Sequence, residues 1–375
     1  MNSDDPQRIL VRGVNWIGDA VMTTPALLRL RERFPGAHIT LFTPQKLKDL
    51  WAHHPAVNEV LSLPNGKSPL AVGRKLAEGR YDLALVLPNS PRSALEVFLA
   101  RIPRRIGYAR PWRNFLLTTA VPHRPGAAAM RKKTTREIRR LITPDSPAAA
   151  PAPAGPGVHQ IHDYLHLTAA LGASPNPLPP HLAVTPWEID QALHKFNLTV
   201  AAAGHRPLFG LCPGAEYGPA KRWPAERFIS VALEIHKRTG CVWLILGGIG
   251  DFELANRIES RLRTPESTIR SLAGQTSLRE LCALLKRCQL LLTNDTGPMH
   301  IAAALGTPVI APFGSTSPAL TGPGLPGDPK HRLIQSTAIC APCFLRECPI
   351  DFRCMNTLTA DTVIQAVQNV VDRPS

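Results

Sequence analysis

Arg12-Gly13-Val14-Asn15-Trp16-Ile17-Gly18-Asp19-Ala20 leads from an apolar run, Ile9 to Val11, into a helical pattern that starts near Val21. A strand, a glycine loop and a helix N-terminus in that order open a parallel α/β sheet. Gly13 and Gly18 have the spacing of a Walker A phosphate loop, but Asp19-Ala20 stands where that motif carries Lys and Ser/Thr. A carboxylate there repels a nucleotide's phosphates, which argues against an ATP site. Two readings of Asp19 stay open: a general base at a helix start, or a residue that only caps the helix.

Outward from this loop, strand-like runs alternate with helical patterns. Ile9–Val11, Ile39–Phe42, Val57–Leu63 and Leu83–Leu87 read as strands, with a helix over Ala26–Phe34 closed by Pro35-Gly36. A second series follows Leu182. Its strands are Leu208–Cys212, Cys241–Leu246, Leu290–Thr293 and Val309–Phe313. Its helices are Pro224–Lys237, Asp251–Arg263, Leu278–Lys286 and Pro298–Leu305. The pattern predicts an α/β protein of two doubly wound domains with a cleft between them. Residues 143–157 (TPDSPAAAPAPAGPG) form a Pro/Ala-rich excursion.

The chain has 375 residues, with 44% hydrophobic and 19% charged, enough for two cored domains and ordinary for a globular protein. No apolar stretch is long enough to span a bilayer, and Met1-Asn2-Ser3-Asp4-Asp5 lacks the features of a signal peptide. The chain therefore reads as cytoplasmic. Its net charge of +15 is concentrated: Arg92 to Arg140 holds thirteen Lys and Arg against Glu96 and Glu137. Such a block attracts polyanions, among them anionic lipid headgroups and phosphorylated glycolipids. It has neither interleaved aromatics nor a nucleic-acid-binding motif, so no nucleic-acid partner is expected. Four of the eight cysteines cluster as Cys340-x2-Cys343-x4-Cys348-x5-Cys354. The spacing fits no standard zinc site, so a compact loop of thiols is expected, with a structural metal as the alternative.

Two further strand ends carry polar motifs. In Cys212-Pro213-Gly214-Ala215-Glu216-Tyr217-Gly218-Pro219-Ala220-Lys221-Arg222-Trp223-Pro224, Lys221 stands just before a helix N-terminus, a placement suited to a diphosphate or equally to an exposed loop lysine. In Thr293-Asn294-Asp295-Thr296-Gly297-Pro298-Met299-His300, Thr296 and Gly297 offer a hydroxyl and a close-approach backbone. Asp295 reads as a ligand contact or a helix cap, and His300 as a ligand contact or a structural histidine. Leu246-Gly247-Gly248-Ile249-Gly250-Asp251 is a glycine turn without the dinucleotide fingerprint.

Taken together these segments resemble the ADP-heptose:lipopolysaccharide heptosyltransferases. The resemblance rests on Gly18-Asp19-Ala20 with Thr24-Pro25-Ala26-Leu27, Gly214-Ala215-Glu216 with Ala220 to Pro224, and Asn294 to His300. Pro88-Asn89-Ser90 with Ser93-Ala94-Leu95, and Pro103-Arg104-Arg105-Ile106-Gly107-Tyr108, extend it over almost the whole chain. The late cysteine cluster makes the second type within that family the best match, with types I and III as alternatives.

The resemblance implies a GT-B fold of two Rossmann-like domains. An acceptor-binding domain would cover 1–180 and a donor-binding domain 181–354, with a C-terminal helix, 355–375, packing back on the first. It implies inverting, metal-independent transfer of L-glycero-D-manno-heptose from ADP-heptose to the lipopolysaccharide inner core, without a cofactor. Asp19 would be the base. Lys221, Asp295, Thr296, Gly297 and His300 would hold the donor, with Asp251 at the ribose and Thr276, Ser277 and Leu278 at the adenine. Asn15, Asn89, Ser90, Arg92, Arg104 and Arg105 would face the acceptor. The basic block would meet the anionic cytoplasmic face of the inner membrane.

Overall fold

The computed structural model describes residues 5–64, 66–143, 155–199, 206–263 and 268–372. The core of the Pro/Ala-rich excursion, 144–154, lies outside the described residues. The chain forms two compact units, 1–127 with 159–183 and 128–158 with 184–375.

In the first unit the strands are β1 (Arg8–Arg12), β2 (His38–Pro44), β3 (Glu59–Leu63), β4 (Leu83–Val86), β5 (Arg104–Tyr108) and β6 (Thr119–Val121). All pair in parallel, in the order β3-β2-β1-β4-β5-β6. Ile9, Leu10 and Val11 are fully buried, because helices cover both faces of a parallel sheet and leave no polar side. The chain winds outward from β1 to β3, then returns beside β1 with β4. Two loops therefore diverge at the carboxyl ends of β1 and β4, the switch point where open α/β sheets place ligands. One is the Arg12–Ala20 loop and the other is Pro88-Asn89-Ser90.

The second unit repeats the plan with β7 (Leu208–Cys212), β8 (Val242–Ile245), β9 (Thr268–Ser271), β10 (Leu290–Thr293), β11 (Val309–Phe313) and β12 (Arg332–Gln335). Their order is β12-β11-β10-β7-β8-β9, again all parallel. Its switch point lies between β7 and β10, where the loop 213–224 and Asn294 to Gly297 begin. Strands β5, β6, β9 and β12 escape the sequence reading. They are short or charged, since outer strands bury less of their surface than central ones.

Two further segments group with the second unit. The C-terminal helix Ala360–Val371 sets Val363, Ala366 and Val367 into the second unit's core beside Phe228 and Val231 of the helix Ala225–Thr239. Its apolar stripe is thus part of the second unit's core. Residues 128–143 and 155–158 also group with the second unit. Lys133 anchors them by donating its backbone N–H to Cys343 O (3.0 Å) and its amine to Cys340 O (3.2 Å).

Candidate functional site

In the first unit the loop after β1 turns into the short helix Ile17–Met22. Trp16, not Asp19, is its N-cap, so the cap reading of Asp19 fails. Asp19 sits in the first turn, where the helix dipole favours a carboxylate. Its Oδ1 accepts from Gln160 Nε2 at 3.2 Å, and the same amide group donates to Tyr164 Oη at 2.9 Å. Tyr164 is buried, and burial first and the nearby Asp19 charge second push its phenol well above the ordinary range. Gln160 and Tyr164 follow the Pro/Ala-rich stretch, and no local motif marks them.

Beside this loop lies a cavity of about 270 Å³, lined among others by Arg12, Asn15, Lys67, Ser90, Arg92 and Glu96. Glu96 is only 2% exposed and is clamped by Arg12 Nε (2.9 Å) and Arg92 Nε (3.0 Å). Arg12 also donates to Gly13 O at 2.6 Å, and its guanidinium lies over the Phe42 ring. One carboxylate against Arg12, Arg92 and Lys67 leaves the lining net positive. Ser90 caps the helix Pro91–Leu99 by accepting from Ser93 N at 3.2 Å, and Asn89 is exposed in the same loop. Arg12, Lys67 and Glu96 were missed because each reads in sequence as an ordinary surface charge.

Arg104 and Arg105 lie elsewhere. Their register with Leu83 and Ala84 puts them at the amino end of β5, away from the carboxyl-end loops. Arg105 is occupied by Leu116 O (2.8 Å) and Ile102 O (2.5 Å). The cation that does reach the Pro88 loop is Arg113, fully buried, donating from Nη1 to Pro88 O at 2.7 Å. Burial, and then repulsion from Arg110, pull its guanidinium down to about 10, still charged at neutral pH.

In the second unit Lys221 Nζ pairs with Asp295 Oδ2 at 2.6 Å, with the two side chains 14% and 4% exposed. Thr316 Oγ1 donates to the same Oδ2 at 2.6 Å. Asn294 ties the loops together, donating to Pro213 O (2.7 Å) and accepting from Trp223 N (3.0 Å). Thr296, not Asp295, is the N-cap of the helix Gly297–Ala304. Its side chain makes no capping bond, and His300 is buried in the first turn. The loop lysine is therefore fixed beside a helix N-terminus, with its charge offset by the Asp295 carboxylate.

Asp251 packs against the same strand ends. A Cβ on Gly214 would meet Asp251 Oδ1 at 2.1 Å, so only glycine admits the carboxylate there. Asp251 accepts from Gly248 N at 3.1 Å and lies 3.9 Å from Arg222. Ser277 is the cap of the helix Leu278–Arg287, in a reciprocal box with Glu280. Thr276 and Leu278 flank it after the turn at Gly274, whose N–H donates to Gly247 O at 2.9 Å.

Cys340, Cys343 and Cys354 are buried and Cys348 partly so, all as free thiols. Burial and then repulsion from neighbouring cysteines push Cys340 and Cys354 up, the latter to about 12, and burial raises Cys343. Among the described residues no three His, Cys, Asp or Glu side chains are arranged to hold a metal ion.

Residues 148–352 match Glycosyltransferase family 9 (heptosyltransferase). Lipopolysaccharide heptosyltransferase 2 of Salmonella typhimurium is 34% identical over 323 residues, covering 84% of this chain and 85% of that protein. Lipopolysaccharide heptosyltransferase 3 of Escherichia coli is 25% identical over 80% of this chain and 81% of its own length. The solved structure of E. coli ADP-heptose LPS heptosyltransferase II superposes with a TM-score of 0.75 at 29% identity, covering 97% of this chain and 98% of that one.

Proposed function

The chain belongs to glycosyltransferase family 9, the heptosyltransferases, and we propose that it moves L-glycero-D-manno-heptose from ADP-heptose to the inner core of lipopolysaccharide as a type II enzyme. The 34% identity to the Salmonella typhimurium type 2 enzyme, against 25% to the Escherichia coli type 3 enzyme, supports that choice. One observation supports the chemistry: Lys221, held against Asp295 and Thr316 beside the Gly297–Ala304 N-terminus, joins an ammonium to helix N–H groups at two neighbouring strand ends, a donor set suited to a departing diphosphate.

In the proposed reaction Asp19 takes the proton from an acceptor hydroxyl as that oxygen attacks the anomeric carbon. The carbon–oxygen bond to ADP breaks on the opposite side, and its electron pair leaves with the β-phosphate. Attack opposite the leaving group inverts the anomeric centre. Lys221 and the helix N–H groups meet the charge that develops on ADP. Both side-chain bonds of Asp295 fall on Oδ2, which leaves Oδ1 as the sugar contact. Thr296, Gly297 and His300 would line the diphosphate, Asp251 the ribose, and Thr276 to Leu278 the adenine. Gln160 orients Asp19. Asn15, Asn89, Ser90 and Arg92, with Arg12 and Lys67 added, would receive the acidic acceptor at the positive cavity.

The test is incubation with ADP-heptose and defined truncated cores, read by product mass. Addition of one heptose to a core that already carries the first heptose is expected. Transfer only to the heptose-free core would make the enzyme type I. A strict requirement for a divalent metal would overturn the assignment of leaving-group stabilisation to Lys221.

A further inference from the structure

We propose that the face formed by Phe98, Trp112 and Phe115 with Arg101, Arg104 and Arg110 docks the first unit on an anionic lipid bilayer. Trp112 is 83% exposed, Phe115 74% and Phe98 43%. These are large apolar rings in the open, and the backbone around them keeps them there. Arg113, between Trp112 and Phe115, is wholly buried and bonded to Pro88 O. Leu116 and Leu117 are buried as well. The segment is thus pinned inward at both places and turns its two rings outward. Trp112 is held at a φ of +64°, a region bulky residues rarely adopt.

Phe98 and the segment that carries Phe115 are joined, and Trp112 stands three residues before Phe115. Arg105 lies 5.4 Å over the Phe98 ring and donates to Leu116 O, joining the end of the helix Pro91–Leu99 to the segment that carries Phe115. Around them Arg101, Arg104 and Arg110 are exposed. From 97 to 136 the chain holds ten Lys and Arg and no Asp or Glu. Exposed aromatic rings beside uncompensated arginines match the chemistry of a membrane interface, where rings enter the headgroup layer and cations meet anionic lipid. A second copy of this face would bring like charges together, which disfavours self-association. Among the described residues no helix is long and apolar enough to cross a membrane, so the contact would be peripheral.

The patch shares its anchor with the acceptor loop. Arg113 holds Pro88, two residues before Ser90, which lines the positive cavity. Through Arg113 the docking face is joined to the loop that carries Ser90, and a role for docking in transfer rests on the reading that the acceptor is lipid-anchored.

Sedimentation with vesicles, with donor and acceptor both omitted, tests the face by itself. The wild type should bind vesicles of phosphatidylglycerol and phosphatidylethanolamine, release in high salt, and ignore phosphatidylcholine. The Trp112→Ser/Phe115→Ser variant should partition roughly tenfold more weakly or worse, from the lost burial of two rings. Its transfer to a deacylated core should stay at the wild-type level. Should that variant misfold, quenching by brominated phosphatidylglycerol decides, because it should drop between wild type and Trp112→Phe. The proposal is overturned by equal vesicle binding of the two proteins, by unchanged quenching, or by light scattering that shows the rings hold two copies together. Lost transfer with vesicle binding intact would instead refute the functional reading and leave the docking face standing.

Discussion

Replacing Lys221 by Ala tests the anion cluster most directly, because the structure separates its effect on stability from its effect on binding. The amine lies 2.6 Å from Asp295 Oδ2, and the carboxylate, 4% exposed, has one other side-chain donor, Thr316. Removing one partner of a buried ion pair costs about 3–5 kcal/mol. The remaining Thr316 bond and the partial exposure of Lys221 hold the cost to about 3 kcal/mol. In a domain of this size that lowers the melting temperature by about 6–12 °C. Asp295→Asn in the Lys221→Ala background removes the stranded charge, so the double variant should melt above the single one. ADP binding should follow a different rule. Loss of one charge-assisted contact weakens it by about 1.5–3 kcal/mol, roughly 10- to 150-fold, and Asp295→Asn should not restore it. Calorimetric melting and ADP titration measure the two quantities. Wild-type melting of Lys221→Ala, or wild-type ADP affinity in the double variant, would refute the reasoning.

Asp19→Asn should fold and bind ADP normally while turnover drops by roughly two to four orders of magnitude. Near-full activity at neutral pH would remove Asp19 from the reaction. Gln160→Leu should lower kcat with little change in donor KM, because it frees the carboxylate without touching the donor; equal activity would show that the 3.2 Å bond does not matter. Burial first and His181 second pull His54 down to about 4. The unfolded chain therefore binds the proton more readily, and His54 adds stability above the ordinary histidine range that is lost as pH falls from about 6.5 to about 4. Urea unfolding should show a decline of up to about 3 kcal/mol across that window, flattened in His54→Phe; an identical slope in that variant assigns the decline to other groups. Cys343→Ser should alter stability more than turnover, and elemental analysis should find substoichiometric metal. One equivalent of zinc or iron per chain, lost in that variant, would make the cysteine loop a metal site.

The two strand-and-helix series were legible in the sequence because central parallel strands are buried on both faces. Runs such as Ile9–Val11 and Leu290–Thr293 are therefore continuously apolar, and the polar motifs that interrupt the pattern fall at their carboxyl ends. Asp19, Lys221 and Asp295 stand out that way as candidates, whereas a ribose role for Asp251 comes only from the family resemblance. What the local pattern does not encode is which strand becomes the neighbour of which. Only the winding order put the Arg12 loop beside Pro88-Asn89-Ser90 at one switch point and Lys221 beside Asp295 at the other. The same order sent Arg104 and Arg105 to the amino end of their strand. Gln160 meets Asp19 across 141 positions, and Glu96 meets Arg12 across 84. Such pairings are made by packing between distant elements, so no short stretch of sequence carries them. The C-terminal helix shows the same limit: its apolar stripe demanded a partner, and the tertiary fold chose the helix Ala225–Thr239. Periodicity states that a face must be buried, whereas the identity of the surface that buries it is settled only when the whole chain is folded.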